Sequence, residues 1–221
     1  MKKLLLVPAG VKKLTIPDSV TTIAEGALAN GSLTTLVLGA GIGPDSVEGD
    51  MGLAGLLVYN DITSLTVSKK NKQLRASGNV LFAGSTLVLY PYLKPGTEYR
   101  VPEGTTVIAK NAFREKYGFD FAPYYDLSFQ YLRKLILPAS LQTAEDGGIQ
   151  GKNLELVVLG KETAIEDGSI CDRIWCPEDS LAAAFADKNG IVQEGSCRYI
   201  PPLPMKSLTA ATFRRKRSRP P

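Results

Sequence analysis

The 221-residue chain is 44% hydrophobic and 22% charged, which supplies a substantial core and excludes a disordered or collagen-like polymer. It contains no histidine, so Ser-His and Cys-His nucleophile pairs, histidine-ligated metals and the usual neutral-pH proton shuttle are all excluded. The formal charge of +4 misrepresents the body of the chain: Lys206, Arg214, Arg215, Lys216, Arg217 and Arg219 hold six of the 26 basic residues, leaving 20 against 22 acidic ones. Basicity belongs to a tail, and no specific nucleic-acid binding is expected.

The first residues, Met1 to Pro8, carry an apolar stretch too short for a secretion signal, and no apolar run approaches the roughly 18 residues of a membrane span. From Val11 onward the chain carries a repeat: a hydrophobic residue, two spacers, a hydrophobic residue, one spacer, a hydrophobic residue. It appears as Val11, Leu14, Ile16; Leu33, Leu36, Leu38; Ile62, Leu65, Val67; Leu132, Leu135, Leu137; Leu154, Val157, Leu159; and Cys171, Ile174, Cys176. The last two positions of each copy share one face of a short strand, so Thr15, Val37, Thr66, Ile136, Val158 and Trp175 are expected to point the other way. A breaker follows most copies: Pro17, Gly39, Pro138, Gly160 or Pro177.

A second half-motif follows the prolines. Val20, Ile23 and Ala27-Leu28 follow Pro17; Thr105, Ile108 and Ala112-Phe113 follow Pro102; Leu141, Ala144 and Gly148-Ile149 follow Pro138. These offsets return apolar groups to the interior from the far side of a coil. The shortest repeat reads as 22 residues, from Ile16 to Leu38 or from Leu137 to Leu159, within the range of leucine-rich repeats. A copy of this length cannot bury both apolar edges alone, so stacked coils with parallel strands along one face are predicted.

Leu14 to Ile23 with Ala27-Leu28, Tyr99 to Gly104 running on to Ala112-Phe113, and Leu132 to Leu141 together resemble the BspA-like, or Treponema pallidum-type, leucine-rich repeat proteins. Asn71 to Pro91 resembles the hairpin insertion such proteins carry. The similarity covers about residues 11 to 192, with Leu28 where the family has phenylalanine and glycine replacing proline at Gly39 and Gly160. The resemblance implies a β-rich (mixed α/β repeat) solenoid, a right-handed leucine-rich-repeat coil with parallel strands and a C-terminal helical cap. It also implies an extracellular or cell-surface protein used in adhesion to host matrix, cells or polysaccharide; the short apolar start leaves a cytoplasmic location open.

Pro177 to Ser180 supplies helix-start signals, Leu181 to Ala186 is helix-forming and Asn189-Gly190 is a stop. The expected organisation is a solenoid over 1–200, with repeats to about 176 and the cap from about 177, followed by a disordered basic tail over 201–221.

Between Val101 and Leu137 the spacing grows by about 14 residues over the shortest repeat, and this insertion holds Tyr117, Phe119, Phe121, Tyr124, Tyr125, Phe129 and Tyr131, seven of the sixteen Phe and Tyr residues. Exposed, such rings offer rigid contact area for a protein or polysaccharide ligand; folded down, they form a satellite core. Tyr117, Tyr124, Tyr125 and Tyr131 are the candidate ligand-binding residues, with Tyr124 and Tyr125 at the loop tip. Cys171 and Cys176 read as inward, buried thiols, with a disulfide from Cys197 to either left open. The spacing fits no zinc pattern, and no catalytic residue, metal or other cofactor is expected. Arg214, Arg215, Lys216 and Arg217 form a basic run suited to anions. The leading function is a non-enzymatic binding module; the alternatives are a carboxylate-dependent glycosidase on a parallel solenoid, needing two acids facing each other across a groove, and anion binding through the tail.

Overall fold

Short strands of two to five residues recur along the chain. The computed structural model describes residues 2–29, 31–49, 52–54, 56, 60–114 and 131–196. In chain order the strands are β1 (Lys2–Leu4), β2 (Lys13–Thr15), β3 (Val20–Ile23), β4 (Thr35–Leu38), β5 (Ser64–Val67), β6 (Arg75–Ser77), β7 (Val80–Ala83), β8 (Thr86–Leu89), β9 (Glu98–Arg100), β10 (Val107–Ile108), β11 (Lys134–Leu137), β12 (Thr143–Ala144), β13 (Glu155–Val158), β14 (Ala164–Ile165) and β15 (Arg173–Cys176). The helix α1 (Leu181–Asn189) and the strand β16 (Val192–Ser196) complete the described chain.

The repeat strands pair in parallel, as the periodicity predicts. β2, β4 and β5 form one sheet, with Leu14, Leu36 and Leu65 side by side. β9, β11, β13, β15 and β16 form another, with Tyr99, Leu135, Leu156 and Ile174 in register. The return halves of the coils pair as well: β1 with β3, and β8, β10, β12 and β14 in one parallel ladder. Isolated parallel bridges from Ile23 to Val47, Phe113 to Ile149 and Gln150 to Ile170 mark a third line of contact. The result is a β-rich repeat solenoid with a small C-terminal helix.

The register corrects one repeat. Leu135 pairs with Leu156 and Leu137 with Val158, so the fifth triad is Leu154, Leu156, Val158, and the expected inward pair Val157 and Leu159 is displaced by one. Leu156 and Val158 are buried at 1% and 0% exposure, whereas Leu159 is half-buried. The cause lies in Leu-Glu-Leu-Val-Val-Leu, where apolar residues at consecutive positions satisfy either register and only pairing to β11 decides between them. The coil step from Leu137 to Val158 is one residue shorter than the step from Leu14 to Leu36.

The hairpin expected at Asn71 to Pro91 is present as β6–β7–β8, antiparallel throughout, with β8 also pairing in parallel to β10. It stops the first repeat sheet. Asn79, at φ 67° in its turn, accepts a hydrogen bond from the Leu65 N–H and donates to the Thr63 carbonyl, occupying backbone groups that a further strand beside β5 would use. The core divides at the same place. Leu81 and Leu89 join the cluster of Ile16, Leu36, Leu38 and Leu65, while Val80, Phe82 and Leu87 join that of Leu135, Leu137, Leu156 and Ile174. Pairing along one uninterrupted face therefore gives way to two repeat sheets flanking a hairpin.

Gly39 stands where the pattern has proline because the next coil crosses close above Pro17. A Cβ at Gly39 would collide with the carbonyl oxygens of Ile16 and Pro17.

The C-terminal helix starts and stops where its sequence signals lie. The Ser180 side chain accepts from the Ala183 N–H at 3.1 Å, and Gly190, at φ 64°, directs its N–H to the last carbonyls. Ala182, Phe185 and Ala186 face the core. Beyond the helix the chain adds β16 to β15, a strand the polar sequence Val192 to Ser196 does not announce.

Candidate functional site

Two fully buried residues bracket the ring-rich insertion. Phe113, at its N-terminal foot, is 0% exposed and stacks on Tyr90 with centroids 4.9 Å apart and planes at 21°; Tyr99 tilts against both. Burial pushes the Tyr99 phenol up to about 12 and raises Tyr90 as well, so both stay neutral. At the C-terminal foot Leu132 is 0% exposed, whereas the adjacent Tyr131 is 41% exposed. Arg114 donates to the Asn111 Oδ1 at 2.6 Å, and burial lowers its pKa from the usual guanidinium value. Tyr117, Tyr124 and Tyr125 lie outside the described residues, as do Arg214, Arg215, Lys216 and Arg217 of the tail. Of the four candidate tyrosines, only Tyr131 is therefore placed.

The outward face of the sheet β9–β16 carries two ordered rows. At the first outward position Glu98, Lys134, Glu155 and Arg173 follow one another across the strands, alternating in charge. Lys134 and Glu155 meet at 3.0 Å, and Arg173 reaches Glu194 at 3.3 Å. At the second stand Arg100, Ile136, Val157 and Trp175. Ile136 and Val157 are 5% and 8% exposed although they face away from the core cluster. The Trp175 indole Nε1 is shielded from solvent and has no hydrogen-bond partner among the described residues. Sequence reasoning turned Ile136 and Trp175 outward but missed the row, because the misplaced fifth triad sent Val157 inward. The first sheet is plainer, with Lys13, Thr15, Thr35, Ser64 and Thr66 outward.

Catalytic equipment is sparse. Among the described residues no group of three or more His, Cys, Asp or Glu side chains is placed to hold a metal ion. A cleft of about 410 Å³, lined by Asp45, Thr86, Val88, Lys110 and Glu145 among others, has two carboxylates in its wall. The Glu145 carboxylate accepts the Lys110 backbone N–H at 2.8 Å, which is the role of a turn-stabilising acid. Asp18, held below the usual carboxylate range chiefly by the Ala40 N–H, has a similar structural role. Cys176 is buried, and Cys171 packs against the core cluster but is only half-buried; neither is in a disulfide among the described residues. Burial pushes the Cys171 thiol up to about 12, which removes the thiolate that nucleophilic or metal-binding chemistry requires. Cys197, the candidate partner for either thiol, lies outside the described residues.

No protein-family model matches the chain, and no curated protein matches it by sequence. Among solved structures it is similar to a leucine-rich cell-surface protein of Faecalibacterium prausnitzii, at 18% identity and a TM-score of 0.54 over 87% of this chain. This chain spans 59% of that protein's length. A leucine-rich repeat protein of Eubacterium ventriosum aligns at 18% identity and a TM-score of 0.49, covering 71% of this chain and 50% of its own. The pneumococcal vaccine antigen PcpA aligns at 13% identity and 0.45, covering 86% and 68%. The first likeness shows the leucine-rich repeat fold. No helix of the described residues is long and apolar enough to cross a membrane.

Proposed function

We propose that the chain is a non-enzymatic binding module of the BspA-like leucine-rich repeat kind, belonging to a cell-surface or secreted protein and contacting a protein or polysaccharide ligand. The observation that carries this reading is the foot of the insertion, where exposed Tyr131 adjoins fully buried Leu132. Tyr131, held beside the buried Leu132, offers contact area at low side-chain entropy cost. The outward row from Arg100 to Trp175 adds an ordered, largely apolar strip on the strand face. The raised thiol of Cys171 and the complete lack of histidine favour binding over catalysis, and the fold's likeness to a cell-surface protein supports a surface location.

The test is a panel of matrix proteins and glycans probed with the intact chain, with a Tyr124→Ser/Tyr125→Ser double variant and with Tyr131→Ser. Binding that weakens in both variants while the circular-dichroism spectrum is kept supports the reading. Undiminished binding in both would move the contact surface elsewhere.

A further inference from the structure

Net charge hides a second basic segment, inside the folded body. Residues 62–97 contain Lys69, Lys70, Lys72, Arg75 and Lys94 and no acid, which leaves 15 basic against 22 acidic residues in the rest of the chain before residue 205. Lys69, Lys70, Lys72 and Arg75 all belong to the turn that leads from β5 into the hairpin, Lys69-Lys70-Asn71-Lys72-Gln73-Leu74-Arg75. These cations are exposed, and Lys94 is half-buried. Lys70 forms a 3.4 Å ion pair with Asp18, an exposed pair of little strength. Lys69, Lys72, Arg75 and Lys94 have no carboxylate partner among the described residues.

The turn holds these side chains on a fixed frame. Asn71 donates to the Gly39 and Ile42 carbonyls at 2.9 and 2.7 Å and accepts from the Gln73 and Leu74 N–H groups, both at 2.8 Å. The Asn71 N–H goes to the Ser68 carbonyl and that of Lys70 to the Ser68 hydroxyl. With those donors engaged, no run of adjacent N–H groups is left to cradle a single phosphate, and anion recognition falls to the side chains. They are spread out instead of converging. Lys70 lies beside Asp18 in the turn between β2 and β3, the Arg75 guanidinium sits 4.2 Å from the centre of the Phe82 ring, and the Lys94 ammonium 5.8 Å from that of Tyr99. Separated point charges match an anion that repeats along a polymer. Leu74, the apolar residue of the turn, is 4% exposed, so the turn offers no apolar side chain to insert into a lipid surface.

We propose that Lys69, Lys70, Lys72 and Arg75, continued by Lys94, form a binding strip for a linear polyanionic polysaccharide, whose successive sulfate or carboxylate groups meet successive cations. Binding releases counterions condensed on the polymer, so the affinity falls with salt. The strip uses no residue of the aromatic insertion, and either surface can fail while the other stands.

The basic tail would attract the same polymers, so the working background is the full chain carrying Arg214→Ser, Arg215→Ser, Lys216→Ser and Arg217→Ser. Fluorescent dextran sulfate and polygalacturonate, the sulfated and the carboxylated probe, are titrated by anisotropy at several salt concentrations against uncharged dextran. Saturable binding of at least one charged polymer is expected. In Lys69→Ser/Lys72→Ser it weakens about tenfold, with a salt slope smaller by about two. It stays unchanged in Lys161→Ser/Lys188→Ser, which removes the same charge beside and within α1. No saturable binding in the background, or equal losses in the two double variants, overturns the proposal. Tighter binding of phosphatidylserine vesicles or duplex DNA at equal anionic charge also overturns it, assigning the strip to a membrane or to nucleic acid.

Discussion

Leu156 and Leu159 lie three residues apart in one apolar run, and replacing each by alanine removes the same atoms from different surroundings. Leu156 is 1% exposed and flanked in register by Leu135 and Ile174. Truncation removes the equivalent of three methylenes, about 2.4 kcal/mol of transfer energy at roughly 0.8 kcal/mol each. Coils fixed on both sides leave little room for collapse, so a cavity penalty brings the expected cost to about 3–5 kcal/mol. Leu159 sits past the strand and is already half-buried; its truncation leaves no enclosed void and costs about 1 kcal/mol. Urea denaturation followed by circular dichroism measures both, provided the m-values agree. A cost at Leu159 equal to or above that at Leu156 would refute the register and restore the triad Leu154, Val157, Leu159.

Thr15→Ala, outward on an edge strand, is expected to change stability by less than about 0.5 kcal/mol in the same assay. Ser180→Ala removes the bond to the Ala183 N–H and is expected to cost about 1 kcal/mol, with loss of helical ellipticity preceding the main transition. Deleting residues 206–221 is expected to leave the thermal midpoint unchanged in calorimetry; a large drop would show that the tail packs. The Cys171 thiol is raised from 9.0 to about 12, so the folded state keeps a proton that the unfolded chain releases. The associated stability is complete below pH 9 and is lost as the pH rises from 9 towards 12. A Cys171→Ala variant is expected to show a shallower loss over that window in alkaline unfolding curves, and an identical slope would contradict the assignment.

Most of the coil architecture is legible in the sequence because most triads end in a breaker and Pro17, Pro102 and Pro138 are followed by apolar residues at fixed offsets. Ile16, Leu36, Leu38 and Leu65 are all 0–1% exposed. The helix is equally legible, since Ser180 and Gly190 act through local geometry. Three features escape such reading. The strands β10 and β12 are two residues long, too short for alternation to register, and exist because the coils stack. β16 is polar and contains a glycine, and takes its extended form from the edge of β15. The break between the repeat sheets depends on Asn79 reaching back to β5, a long-range bond with no sequence period. For the candidate site, the tyrosines are conspicuous in composition, yet the row from Arg100 to Trp175 emerges only from register.

That Asn79 contact has a modular consequence. In an uninterrupted stack each strand takes its lateral position from its neighbour, so alignment is handed along the whole ladder. Here the repeat ladder is relieved of that obligation midway: β5 ends against a side chain, and β9 begins a fresh ladder whose alignment is taken from β11. The hairpin works as a joint, across which neither ladder of repeat strands takes its alignment from the other.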